Sequence, residues 1–122
     1  MASISFALTK NEFLSGSKTV TRRSWPISYM RQWQKWYREG KRVHTAWDKV
    51  PFAGGKRIGK FELTCCPYPE RLADMPLADL QAEGAMCKTR EEFCSLIGKE
   101  LSDVVVVIRF KLIRNSKEIN VK

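Results

Sequence analysis

The run Val104-Val105-Val106-Val107-Ile108-Arg109-Phe110-Lys111-Leu112-Ile113 limits the fold more than any other part of the chain. It is dominated by β-branched residues, whose crowding at Cβ favours extended backbone. Its first five residues are apolar without alternation. A strand of that kind is buried on both faces, so it belongs at the centre of a sheet. The rest of the chain must therefore supply partners for its edges and cover for its faces.

Those partners are legible in order. Residues 3–8 begin with polar–apolar alternation and predict a short strand. Thr9-x-x-Glu12 is a capping box for a short helix with Phe13 and Leu14 on its apolar side. Gly16 suits the left-handed stop of that helix. Thr19-Val20-Thr21-Arg22-Arg23 predicts a second strand. Ser24 and Pro26 open a longer helix that Gly40 ends. Val43 to Trp47 predicts a strand, residues 51–55 a turn, and Arg57 to Cys65 an alternating strand that Pro67 and Pro69 stop. Asp74 and Pro76 open a short helix with Leu77 and Leu80 on its apolar side, ending at Glu83-Gly84. Thr89-x-x-Glu92 is a second capping box, ahead of Phe93, Leu96, Ile97 and the stop at Gly98. This order predicts an α+β fold, a small and largely antiparallel β-barrel flanked by short helices. Residues 1–113 form one domain in this reading, and 114–122 a polar tail.

Composition narrows the class. Hydrophobic residues make up 43% of the 122 positions, enough for a packed core. No apolar run approaches a membrane span, and the N-terminus lacks the apolar region of a secretory signal, so a cytoplasmic protein without a membrane partner is expected. Cys65, Cys66, Cys87 and Cys94 form no C-x-x-C pair, and neighbours in a strand point to opposite faces. Reduced thiols follow, with neither a metal site nor a cofactor expected.

Charge points to the partner. The net charge is +9, and residues 1–60 hold 13 lysines and arginines against 3 acidic residues, or +10. Residues 61–122 hold 9 against 10, or −1. A one-sided basic field attracts phosphates, so RNA or a nucleotide is the expected partner.

The basic half holds one dense motif, Gly16-Ser17-Lys18-Thr19-Val20-Thr21-Arg22-Arg23. In a strand, Thr19, Thr21 and Arg23 share one face, and Val20 and Arg22 the other. Hydroxyls beside a guanidinium suit an oxyanion or a nucleotide; a polar edge strand with basic ends is the plain alternative. In the helix that follows, Tyr29, Met30, Trp33, Trp36 and Tyr37 fall on one arc, with Arg31, Lys35 and Arg38 opposite. That pattern fits inward packing of aromatics. Tryptophans interleaved with cations also suit base stacking and phosphate contact. His44, the only histidine, is either hydrogen-bonded structure or a ligand contact.

The ordered set of motifs resembles the ASCH family of the PUA-like superfamily. Gly16 to Arg23 is similar to that family's G-x-K-T-x-T-x-R signature. Arg57-Ile58-Gly59-Lys60-Phe61 resembles its middle strand, Leu72 to Asp79 with Glu83-Gly84 its leucine-rich helix and E-G segment, and Glu92-Phe93 with Val105 to Lys111 its last helix and strand. The resemblance covers roughly residues 3–112 and implies a PUA-like barrel with a cleft beside the signature strand, handling RNA or modified nucleosides. One branch hydrolyses the amide of N4-acetylcytidine with a lysine, a threonine and a glutamate. Matched by motif, these fall on Lys18, Thr21 and Glu83. Another branch is a metal-assisted ribonuclease. The chain departs from the small amidohydrolases in two places. Lys41 follows Gly40 where they carry an acidic residue, and the helix between Ser24 and Glu39 is longer and more aromatic. Both departures favour a longer, phosphate-bearing ligand.

The leading expectation is therefore an RNA-binding domain. Thr19, Arg22, Arg23, Arg31, Lys35, Arg38, Lys41, Arg42 and His44 would contact the ligand, and Trp25, Trp36 and Trp47 would stack on bases. The alternatives are an amidohydrolase using Lys18 as base, Thr21 as nucleophile and Glu83 as acid, and a ribonuclease.

Overall fold

The computed structural model describes residues 2–113. Its strands are β1 (Ser3–Ser5), β2 (Val20–Arg23), β3 (Val43–Trp47), β4 (Arg57–Leu63), β5 (Tyr68–Arg71) and β6 (Val104–Ile113). Its α-helices are α1 (Lys10–Ser15), α2 (Ile27–Arg38), α3 (Ala78–Ala82) and α4 (Arg90–Ile97). The predicted tail, 114–122, lies outside the described residues.

The central run behaves as its composition requires. β6 pairs antiparallel with β2 through Val106–Arg109 on one edge. On the other edge it pairs with β5 through Val104–Val107 and with β4 through Lys111's neighbourhood, Phe110 to Ile113. Its even residues Val106, Ile108 and Phe110 join the main core with Phe6, Phe13, Met30, Trp33 and Phe61. Val105 faces the other way, into a second core with Leu72, Met75, Leu80, Phe93 and Cys94. Alternation along the strand thus feeds two cores, one on each face.

The architecture is α+β, with a mixed rather than wholly antiparallel sheet. The path runs β1-β3-β4-β6-β2, with β5 on β6, and β1 lies parallel to β3. The expected barrel does not close: β1 and β2 end the path, and no ladder joins them among the described residues. A side chain spans the gap instead, where Arg23 Nη2 donates to the Ser5 carbonyl at 2.7 Å.

Four local expectations need correction. The first strand stops at Ser5 rather than residue 8, because residues 6–9 turn aside, with Leu8 exposed. The Thr9 side chain makes no capping hydrogen bond, since Thr9 is buried with its methyl against Gly84. Pro69 does not only stop β4; it sits within β5, an edge strand of four residues where a missing N–H is tolerated. Leu77 is also exposed, because α3 begins only at Ala78. By contrast, Gly16 takes the left-handed cap of α1 (φ 85°), and Thr89 accepts from Glu92 N–H at 3.1 Å.

Phe61 is buried between the rings of Phe6, Phe13 and Phe110, with centroids 5.2 to 6.4 Å away. Phe61→Ala is expected to lower the unfolding free energy by about 3–5 kcal/mol in urea titration. Phe52→Ala, at a side chain 93% exposed, should change it by less than about 0.5 kcal/mol.

Candidate functional site

The unclosed seam between β1 and β2 is a cleft of about 230 Å³. Ser5 to Thr9 form one wall, and Lys18, Thr21, Arg22, Arg23 and Glu83 the other. Met86, Phe93, Leu96 and Ile97 complete it with apolar surface.

Backbone bonds fix the polar wall. Lys18 N–H donates to the Glu12 carbonyl at 3.0 Å, tying it to the end of α1. Thr19 N–H donates to the Ala82 carbonyl at 2.9 Å, so the end of α3 is tied to the residue just before β2. Glu83, next in the chain, is thereby held beside the signature strand. Gly84 follows with φ +135°, and a Cβ there would lie 2.7 Å from the Thr9 methyl.

Lys18, Thr21 and Glu83 are all buried. Lys18 Nζ lies 3.2 Å from Glu83 Oε1 and also donates to the Glu83 backbone carbonyl. Burial holds the Lys18 amine below the ordinary lysine value; Glu83 opposes that shift, and Arg23 and Arg22 reinforce it. Thr21 Oγ1 accepts from Arg23 Nε at 3.2 Å. That bond reflects the predicted shared face of Thr21 and Arg23.

Arg22 leaves on the opposite face. Its Nη1 donates to Glu83 Oε2 at 2.9 Å, its Nε and Nη2 to Glu70 Oε1 at 3.0 and 2.8 Å, and its Nη2 also to Asp79. Asp79 in turn accepts from Arg109 at 3.1 and 2.7 Å, and Arg109 Nε donates to the Tyr68 hydroxyl at 3.1 Å. Burial pushes the Asp79 carboxyl up, but bonds from Arg109 and Arg22 outweigh it and hold it below its usual range. The sequence reading missed Glu70, Asp79, Tyr68 and Arg109. One signal was available: Arg109 interrupts the otherwise apolar first seven residues of β6.

Apart from Arg22 and Arg23, the ligand-contact candidates do not gather at this cleft. Arg22 has a fully buried side chain whose guanidinium is spent on carboxylates. Thr19 is exposed and outside the cleft lining. Trp25 packs its ring 4.9 Å from that of Trp33, and Trp47 is half-buried at the end of β3. Arg31, Lys35 and Arg38 are exposed on α2. Trp36, Lys41, Arg42 and His44 line a separate depression of about 390 Å³ with Ala2, Gly40 and Val43. His44 is buried, with Nδ1 accepting from the Ala2 N–H at 3.1 Å.

No family model matches the chain, and no curated protein matches it. A solved structure does: the crystal structure of protein EF3133 from Enterococcus faecalis V583, of the family DUF984. It is 15% identical, with a TM-score of 0.52 over 91% of this chain and 71% of that one. At this identity the likeness is one of fold. Among the described residues, no helix is long and apolar enough to cross a membrane.

Burial lowers the His44 pKa to about 4, against a smaller pull upward from the Lys41 backbone. The unfolded chain then binds a proton that the folded chain refuses. Stability should be flat above pH 6.5 in this respect and fall by up to ~3 kcal/mol as pH drops towards 4. Urea titrations of wild type and His44→Gln should show the variant losing less over that interval. At neutral pH, Gly84→Ala should cost roughly 2–3 kcal/mol through strain and overlap with Thr9.

Proposed function

We propose that the chain is an amidohydrolase on an N-acylated nucleobase, carried on an ASCH-type, PUA-like frame. The observation that carries this reading is the 3.2 Å contact between Lys18 Nζ and Glu83 Oε1 in the wall of a cleft that Thr21 also lines. An amine made less basic by burial can take the Thr21 proton. The Thr21 oxygen then attacks the amide carbon. Arg23, already bonded to that oxygen, is placed to hold the developing oxyanion. The proton on Lys18 has a direct path to Glu83, which passes it to the leaving amine nitrogen. The C–N bond breaks, and water hydrolyses the resulting threonyl ester with Lys18 again as base. The apolar wall of Met86, Phe93, Leu96 and Ile97 suits the acyl side of the substrate.

A second reading, RNA or nucleotide binding, draws on a different surface. Arg31, Lys35 and Arg38 stand exposed on α2, and Lys41 and Arg42 border the depression beside Trp36. Phosphate contact there is compatible with hydrolysis in the seam. No observation favours a metal-assisted ribonuclease.

N4-acetylcytidine deacylation, followed by ultraviolet absorbance, tests the first reading. Lys18→Met, Thr21→Ala and Glu83→Gln should each lower kcat/KM by about 10³-fold or more. Full activity in any folded variant removes that residue from the mechanism. For the second reading, Lys35→Glu with Arg38→Glu should weaken binding of a single-stranded oligoribonucleotide at low salt by about tenfold, leaving deacylation of the free nucleoside unchanged.

A further inference from the structure

The buried charges reach well past the three side chains the reaction needs. The register explains how they meet. Arg22 pairs with Val107, Tyr68 with Val107 and Glu70 with Val105, so all three side chains share the face of β6 that carries Val105, Val107 and Arg109. Asp79 on α3 lies over that face, bonded to both Arg22 and Arg109. Arg22 links this group to Glu83 and hence to Lys18.

Besides Lys18, the group holds three guanidiniums (Arg22, Arg23 and Arg109) and three carboxylates (Glu70, Asp79 and Glu83). With all six charged, it is neutral only while the Lys18 amine carries no extra proton. Attack by Thr21 adds one proton to Lys18 and creates one oxyanion, so the balance survives the step. Arg109 is the outermost member. Its side chain is 29% exposed, it does not line the cleft, and its partners are Asp79 and Tyr68.

We propose that Arg109, acting through Asp79, is a positioning residue that keeps Arg22 on Glu83 and so limits the hold of Glu83 on the Lys18 amine. This rests on the amidohydrolase reading for its catalytic meaning. Without Arg109, the Asp79 charge is left uncompensated beside Arg22. Arg22 is then drawn towards Asp79 and Glu70, and Glu83 turns its charge to Lys18. Both changes favour the ammonium. The other charged neighbours stay constant: Arg23 approaches Lys18 from β2, and Glu12 of α1 packs beside Gly84.

The test is Arg109→Gln, read in two ways. In the deacylation profile, the limb on which rate rises with pH should move to higher pH. The rate should fall about tenfold at pH 7 and recover in more alkaline buffer. Independently of any substrate, the titration of Lys18 by NMR of isotopically labelled lysine, assigned by its loss in Lys18→Met, should move in the same direction. Arg109→Lys should restore part of both. Asp79→Asn, which removes the opposite charge, should move the Lys18 titration to lower pH, and it decides the matter if Arg109→Gln does not fold. An unmoved Lys18 titration, or a rate loss equal at all pH, overturns the proposal. A moved titration with no deacylation by wild type upholds the coupling and overturns the hydrolase reading.

Discussion

The guanidinium of Arg22 is the joint on which the site depends. It has no exposed surface, and it bonds three carboxylates that come from β5, from α3 and from the residue just after α3. A buried cation is costly unless such partners surround it, and a buried carboxylate is costly unless it keeps its cation. Each member of the group therefore holds the others in place. Removing one partner of such a pair costs about 3–5 kcal/mol, so the elements that carry them cannot drift independently.

The seam is the second determinant. A fully laddered barrel would pair β1 with β2 and leave no room between them. Here the ends of the sheet stay apart, and the residue just before β2, Thr19, is tied to the end of α3 at Ala82. The space left open exposes a wall that holds the proposed nucleophile and the proposed base. The +10 charge of the first half does not gather there, because Arg22 spends its charge on Glu70, Asp79 and Glu83, and burial makes the Lys18 amine less basic. Five of its cations, Arg31, Lys35, Arg38, Lys41 and Arg42, stand instead on α2 and the turn after it. Charge density along a sequence thus located the basic surface and the cleft as one place, and the fold makes them two.

Much of the frame was legible. The β6 run announced a strand buried on both faces, Gly16 marked the end of α1, and Thr89 with Glu92 marked the start of α4. β5 was hidden, because Tyr68-Pro-Glu-Arg carries a breaker and has meaning only as an edge partner of β6. In the site, the strand period correctly paired Thr21 with Arg23 and sent Arg22 the other way. What lay on that other side was not legible. Glu70, Asp79 and Arg109 come from three separate elements, and no local pattern marks a charge whose partner is tens of residues away. Lys18 and Glu83 were linked only through the family resemblance, since 65 residues separate them.

The position of β6 has a consequence for how the molecule comes into being. β2 and β5 take their ladder from it and β4 its second one, and it is the last strand among the described residues. During synthesis β2, β5 and the free edge of the β3–β4 pair must wait until residues 104–113 have left the ribosome. Closing so long a loop is slow, and the pairing that ends it is all non-local. The aromatic cluster has no floor before then, because Val106, Ile108 and Phe110 supply it. Assembly should therefore be a late and concerted event, with the seam taking shape only as β6 slides between its neighbours.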